Sequence, residues 1–343
     1  MSKNLFKKAA VMTDLHMGLK SNSKQHNEDC INYLQWFIET AHINNCDMCL
    51  FLGDYFHNRN NINLLTMNYG IQGMRLLSNA FEHTIMIPGN HDNYYRDMRS
   101  INSITWAEHI PNIKILNEIT SIGDCIFVPW MIPSEEKELF AQRGTYVFGH
   151  FELPNFMMNA MVKMPDVGNL KSENFSIYKE VYTGHFHKRQ TQKNITYIGN
   201  AFPHNFSDVD DDERGCMILE WGESPVYYQW PKAPKYRIVK LSDLISNPSY
   251  FLPSNSYIKL LLDTFVSFEE ATYLKENLVH DYNLRELNLI SLKKNLHMDS
   301  IQSSINEAEI KTVDDIVQNH LVNSIESDYY DNSLLLDIYR SLD

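Results

Sequence analysis

Met48-Cys49-Leu50-Phe51-Leu52-Gly53-Asp54 is a run of five apolar residues that stops at a glycine and an aspartate. A short apolar run without polar alternation reads as a strand buried on both faces. The same device recurs on either side of it. Upstream, Ala9-Ala10-Val11-Met12 runs into Thr13-Asp14-Leu15-His16. Downstream, Thr84-Ile85-Met86-Ile87 runs into Pro88-Gly89-Asn90-His91-Asp92, and Tyr146-Val147-Phe148 into Gly149-His150. Val181-Tyr182-Thr183 then runs into Gly184-His185-Phe186-His187. Between these runs, residues 28–43 place Ile31, Leu34, Ile38 and Ala41 on one helical face, and residues 64–81 do the same with Met67, Ile71, Met74 and Leu77. Strand and helix in alternation predict an α/β layer with substantial parallel pairing. In such sheets ligands gather at the carboxyl ends of the strands, which is where every polar break falls.

Further along, Trp230-Pro231-Lys232-Ala233-Pro234 reads as a linker, because two prolines follow a strand-rich stretch. Beyond it, residues 257–262 read as a strand, 267–280 as a helix and 284–292 as a second strand, a small α+β unit. Residues 301–342 read as two acidic amphipathic helices, too small a hairpin to stand without docking on something. The expected domains are therefore 1–232, 233–297 and 298–343.

Composition narrows the class. With 43% hydrophobic and 21% charged residues, the chain is an ordinary globular one. It has no apolar run long enough to span a bilayer and no apolar core within Met1–Lys8. The expectation is a cytoplasmic protein with no membrane association. The five cysteines are scattered and odd in number, which fits a reducing compartment. Cys46-Asp47-Met48-Cys49 has the spacing of half a zinc site, but its apolar setting favours buried thiols. The net charge of −13 argues against a nucleic-acid binder until its distribution is considered. Residues 298–343 hold ten acidic side chains against Lys311 and Arg340, a net of −8, so the other 297 residues carry only −5. Metal ions can supply positive charge where phosphates sit.

The polar breaks contribute Asp14, His16, Asp54, Asn90, His150, His185 and His187. These offer oxygen and imidazole nitrogen without thiolate, a set suited to Mn²⁺ or a similar divalent ion. Two ions about 3.5–4 Å apart need a bridging carboxylate, and Asp54 is placed to supply it. One ion would take Asp14, His16, Asp54 and His187; the other Asp54, Asn90, His150 and His185. Such a pair activates water and neutralises charge on a phosphoryl group. His91, beside a ligand but outside the set, is placed to reach the scissile phosphate, stabilising the transition state or protonating the departing oxygen. His57 is placed to orient His91 or to contact substrate.

These motifs, Asp14-x-His16, Gly53-Asp54, Gly89-Asn90-His91-Asp92, Gly149-His150 and Gly184-His185-x-His187, resemble those of the calcineurin-like metallophosphoesterases. The resemblance implies an α/β fold in which two sheets form a sandwich with helices outside and a dinuclear site at one edge. Thr13-Asp14-Leu15-His16-Met17-Gly18 and Gly53-Asp54-Tyr55-Phe56-His57 are similar to the first two motifs of the SbcD-type nuclease subunit of the double-strand-break repair complex. Protein phosphatases have Asp-Arg-Gly where this chain has His57-Asn58-Arg59, and SbcD-type members usually have Ser where Asn200 stands in Tyr197-Ile198-Gly199-Asn200. The short chain looks most like the phage versions. The resemblance implies a Mn²⁺-dependent DNA exonuclease and endonuclease of repair, recombination and replication, with two Mn²⁺ or Mg²⁺ ions. Its implied partner is an SbcC-type coiled-coil ATPase docked on 298–343, in the host cytoplasm if the chain is phage-encoded. It also implies a DNA-binding cap at 233–297 and a homodimer within a heterotetramer, with the stripes of 28–43 and 64–81 as candidate dimer faces. A small-molecule phosphodiesterase acting on cyclic nucleotides, or a metal-binding scaffold without catalysis, would share the same ligand motifs. Outside the site, Asp208–Arg214 reads as a solvated acidic loop, and Lys188, Arg189, Lys193, Tyr94, Tyr95, Arg96 and Arg99 as candidate DNA contacts.

Overall fold

The computed structural model describes residues 4–166 and 170–292; the expected partner-docking helices of 298–343 lie outside the described residues. Among the described residues, one six-stranded sheet runs Val226–Gln229, Gly215–Glu220, Lys8–Met12, Met48–Phe51, Thr84–Met86, Ile113–Ile115 from edge to edge. The last four of these are parallel, and Gly215–Glu220 pairs antiparallel with Lys8–Met12. A second six-stranded sheet runs Thr120–Ile122, Cys125–Val128, Tyr146–His150, Glu180–Gly184, Ile195–Tyr197, Gln190–Gln192.

The two sheets share one core. Ala9, Val11, Leu50 and Ile85 of the first meet Phe127, Phe148 and Tyr182 of the second. Alternate residues of the first sheet, Ala10, Met12, Cys49 and Phe51, point to the other side and bury against the helices. In the second sheet Ile126, Val147 and Val181 pack outward, under Phe151, Phe156 and Phe175. Successive side chains face opposite ways, and both ways are interior. That is why these strands read as unbroken apolar runs.

Helices Lys24–Ile43 and Leu64–Ala80 cover the outer face of the first sheet. Ser23 and Asn63 cap them by accepting backbone N–H bonds from His26 and Leu65. The buried stripes differ from the sequence reading. In the first helix Tyr33 and Phe37 are buried alongside Ile31, Leu34 and Ala41, while Ile38 is only partly covered. In the second, Gly70 and Gly73 carry the contact together with Met74 and Leu77, while Met67 and Ile71 sit at the edge. Both stripes are taken up by the chain's own core, so their buried residues present no dimer face.

The glycines have a steric cause. A Cβ on Gly73 would lie 2.4 Å from Tyr55 Oη, and one on Gly70 2.4 Å from Phe56 Cζ. The helix thus approaches the loop after Met48–Phe51 as closely as backbone allows, and Tyr55 donates its hydroxyl hydrogen to Gly70 O. Gly73→Ala is expected to destabilise by about 1–3 kcal/mol, overpacking outweighing the roughly 1 kcal/mol gain in helix propensity. Urea unfolding checks the sign.

A third sheet, of parallel strands Lys235–Lys240, Ser256–Leu262 and Glu286–Ser291, follows the Pro231–Pro234 segment and packs on helix Phe268–Asp281. Several contacts tie it back to the first two sheets and their helices, among them the Tyr236 hydroxyl donating to His204 O. Arg285 pairs with Asp29 of the first long helix. Lys20 lies 3.7 Å from the centre of the Tyr257 ring, which stacks on Tyr236. Among the described residues no helix is long and apolar enough to cross a membrane.

Three charged segments behave otherwise than their sequence indicated. Asp208 and Arg214 are fully buried, and Arg214 pairs with Asp208 and Asp211, while Arg237 takes Asp210 and Asp212. The segment is an ion-pair network rather than a solvated loop. Arg99 is buried and spent on Asn117 O, Trp130 O and the Glu135 carboxylate. Arg189 bonds Ile198 O and lies over the Tyr227 ring. Arg99 is thus not free for a phosphate, whereas Arg189 is only half-buried and Tyr94 and Tyr95 are exposed.

Candidate active site

Five loops at the carboxyl ends of strands from both sheets converge on one edge of the sandwich. Their backbones extend the sheet's own pattern: Asp14 N–H donates to Gly53 O and His16 N–H to Asp54 O, at 2.9 and 3.0 Å. The turns are tight enough that Asp14, His16, Asp54 and His185 all have positive φ, 51°, 50°, 60° and 89°. Such strain costs free energy in non-glycine residues and persists only where the surroundings impose it. The glycines in these motifs do more than turn the chain. A Cβ on Gly53 (φ +100°) would meet His150 Nδ1 at 2.4 Å, and one on Gly89 would meet Asp54 Oδ1 at 2.2 Å. They are missing side chains that let ligand-type side chains touch.

The donor atoms form two clusters that share Asp54. In one, His16 Nε2 lies 3.7 Å from Asp14 Oδ1, 3.5 Å from Asp54 Oδ2 and 3.3 Å from His187 Nε2. In the other, His150 Nε2 lies 3.4 Å from the same Asp54 Oδ2 and 3.1 Å from Asn90 Oδ1, which is 2.8 Å from His185 Nδ1. All seven residues expected as ligands are thus brought together. His150 Nδ1–H donates to Leu52 O at 2.7 Å, which turns its Nε2 toward the cluster. That nitrogen then faces two acceptors, Asn90 Oδ1 and Asp54 Oδ2. Between that nitrogen and those oxygens sits either the proton of an imidazolium or, in its place, a cation, so the donor set fits divalent metal ions.

The electrostatics agree. Burial disfavours charge on Asp54, yet His150, His91 and His16 hold its carboxyl well below the usual range. Burial likewise opposes charge on His150, while Asp54 and Asp14 push its imidazole up to about 9. Burial lowers His16 and His185. The site is a concentration of negative charge and imidazole lone pairs within the interior.

His57 and His91 lie beside the first cluster, and His16, His57 and His91 each bring a ring nitrogen within 4.8 Å of the others. His91 Nδ1 is 2.7 Å from His57 O, so Nδ1–H donates to that carbonyl and Nε2 is left free. Its backbone N–H donates to Asp54 Oδ1 at 2.7 Å. The His57 ring stacks on that of His91 at 5.0 Å and 17°. His57 therefore orients His91 chiefly through its carbonyl. Burial pushes the His57 imidazole down to about 3.

Four supporting residues were not singled out from sequence. Asp92 accepts backbone N–H bonds from Asp54, Tyr55, Phe56 and Gly89, fastening the second and third loops together. Burial and the Asp54 charge push its carboxyl up to about 6, against the pull of those N–H groups. His204 Nε2 holds Asp14 O and His26 Nε2 holds His16 O, each at 3.0 Å. Burial drives both imidazoles down, that of His26 to about 3, so they are neutral donors. Glu152 lies 3.6 Å from His185 Nε2, an ion-pair contact longer than a hydrogen bond on the side of the ring away from Asn90. Asp92 stands within a quoted motif, where only its role was missing. His26, His204 and Glu152 carry no local signal.

Comparison with known proteins is consistent with this geometry. A family model described as Calcineurin-like phosphoesterase matches residues 7–189, the stretch that carries all five motifs. Exonuclease subunit 1 of Enterobacteria phage T4 is 27% identical over 216 residues, 60% of this chain. The match spans 62% of that protein's length. Among solved structures, the Pseudomonas putida nuclease MPE aligns at 16% identity with a TM-score of 0.29, covering 65% of this chain and 78% of that one.

Proposed function

Since the chain belongs to the calcineurin-like phosphoesterases, hydrolases of phosphate esters, we propose that it is a two-metal nuclease that hydrolyses phosphodiester bonds of DNA. The observation that carries the two-metal reading is Asp54 Oδ2, 3.5 Å from His16 Nε2 and 3.4 Å from His150 Nε2. One carboxylate oxygen serves both clusters. Asp14, His16, Asp54 and His187 would hold one ion and Asp54, Asn90, His150 and His185 the other, Mn²⁺ before Mg²⁺ on the mixed oxygen–nitrogen donors. Such a pair, when bound, supplies Lewis acidity and an activated water at neutral pH.

The chain's own groups do the rest. Asp92 holds the loops of Asp54 and Asn90 in register, and His26 and His204 hold the carbonyls of His16 and Asp14. His91, with Nδ1 tied to the His57 carbonyl, keeps Nε2 available to hold or deliver a proton at the departing oxygen. Nuclease activity is supported by the name of the phage relative, an exonuclease subunit, and the choice of DNA by the likeness of Thr13–Gly18 and Gly53–His57 to the SbcD-type motifs. The word subunit also supports a multi-chain assembly. We read 233–297 as a DNA-contacting cap and the acidic 298–343 as the docking element for an SbcC-type ATPase, in a heterotetramer containing a homodimer of this chain, acting in repair, recombination and replication.

The test uses purified protein with labelled linear DNA and, separately, a cyclic nucleotide. Degradation of the DNA with Mn²⁺, abolished by EDTA and restored by excess Mn²⁺, is the expected result. Turnover of the cyclic nucleotide with the DNA left intact would reject the nuclease reading and leave a small-molecule phosphodiesterase.

A further inference from the structure

Trp130 lies on the wall between the second donor cluster and a cavity of about 470 Å³, within the range typical of ligand sites. Its ring centroid is 5.1 Å from that of His185 and 6.1 Å from that of His150. The indole is held rigidly. Its Nε1–H donates to Arg96 O at 3.1 Å and its backbone N–H to Pro88 O at 2.8 Å, while its carbonyl accepts from Arg99 Nη1. This explains why Arg99 is spent internally: together with Glu135 it braces the segment that carries Trp130.

The chemistry of the cavity selects among the parts of a nucleotide. Met131, Met164 and Leu170 line it together with the indole, and Asp97, Glu136 and Glu152 add three carboxylates against the single cation Arg96. Methionine and indole surfaces suit a flat, polarisable ring. Carboxylates repel phosphate but accept the N–H groups of bases. His150 lines the same cavity, so the space adjoins the donor cluster. A base is separated from its phosphate by a single sugar. A phosphodiester held at His150 and His185 therefore brings a neighbouring base to this wall.

From this arrangement we infer that the Trp130 cavity is a nucleobase subsite, which takes the base flanking the scissile phosphate by stacking and positions the bond for hydrolysis. The inference rests on the nuclease reading above and extends it to how the strand is gripped. Stacking is tolerant of sequence, because every base has a π-face. The subsite thus supports cleavage of any sequence while requiring that a base be present.

The test walks one abasic tetrahydrofuran residue through single-stranded oligonucleotides, cut by the full chain with Mn²⁺. For wild type, kcat/KM is expected to fall about 5- to 100-fold when the missing base flanks the scissile bond on one side. Trp130→Leu is expected to cut intact and abasic strands at one equally reduced rate, and Trp130→Phe to keep most of the discrimination. Mn²⁺-induced stabilisation, read by thermal melting, should persist in both variants. Wild type that ignores the abasic residue at every position overturns the inference, as does Trp130→Leu that discriminates as strongly as wild type. Should Trp130→Leu fail to fold, the wild-type walk decides alone. Hydrolysis of bis(p-nitrophenyl) phosphate by wild type, with no oligonucleotide cut, overturns the nuclease reading and this inference with it. That outcome is distinct from a nuclease indifferent to the missing base.

Discussion

Asp54→Asn is expected to abolish metal binding at both clusters and with it hydrolysis, lowering kcat by at least roughly 1,000-fold. That figure is what losing several kcal/mol of charge stabilisation implies at 1.36 kcal/mol per tenfold. The reason is topological as much as chemical. Asp54 Oδ2 is the atom that both His16 Nε2 and His150 Nε2 approach, so one neutralisation weakens two sites. Asparagine retains an oxygen to accept the His91 backbone N–H now held by Oδ1, so the loop has no cause to collapse. The metal-free variant should melt lower than metal-free wild type at neutral pH, because His150, His91 and His16 hold the Asp54 carboxyl well below the usual range, so its ionised form stabilises the fold and its loss strips the buried His150 of its partner. The wild-type rise in Tm with Mn²⁺, worth about 2.7 kcal/mol at a hundredfold excess over Kd, should vanish. An Asp54→Asn protein that keeps the full Mn²⁺-induced shift would show that the clusters do not share this ligand.

His91→Ala is expected to separate chemistry from metal binding. Activity should fall by about 100- to 10,000-fold, the usual contribution of a positioned acid or base, while two Mn²⁺ per chain still bind by calorimetry. His91 touches the first cluster from outside, through a backbone N–H to Asp54 Oδ1 that alanine retains and a ring contact with His16 that it does not. His57→Ala supplies the contrast. The group that fixes His91 Nδ1 is the His57 carbonyl, which survives the substitution. Only the ring stacking and the 3.3 Å contact of Nδ1 with His16 Nδ1 are lost. A drop of about tenfold, the low end for outer-shell partners of a metal ligand, is expected. Equal losses in the two variants would mean that the His57 imidazole itself takes part. Loss of Mn²⁺ from His91→Ala would make His91 a structural support of the site rather than its acid.

The contrast between what was legible and what was not follows the range of each interaction. The strand ends of both sheets, and all seven donors on them, could be read from sequence. Each lies within a few residues of an apolar run, and a strand buried on both faces leaves no polar position to blur the pattern. Helix faces were read a residue or two off. Gly70 and Gly73 contribute contact through absence, and Tyr33 and Phe37 outreach the Ile38 that a simple stripe prefers.

Charged and imidazole side chains were the least legible, because a lone charge reads as solvated unless its partner is known. Arg99 finds Glu135 from 36 positions away, Arg285 finds Asp29 from 256, and His204 reaches Asp14 O from 190. Nothing local announces such pairs. By itself the sequence determined where the strand-end motifs fall, which donor-type side chains they carry and hence the family, since those depend on neighbours along the chain. Only the tertiary structure decided that Asp54 Oδ2 lies between two clusters, that a carbonyl rather than an imidazole fixes His91, and that Trp130 stands beside His185. Those are distances between loops from different strands, and such distances exist only once two sheets have packed face to face.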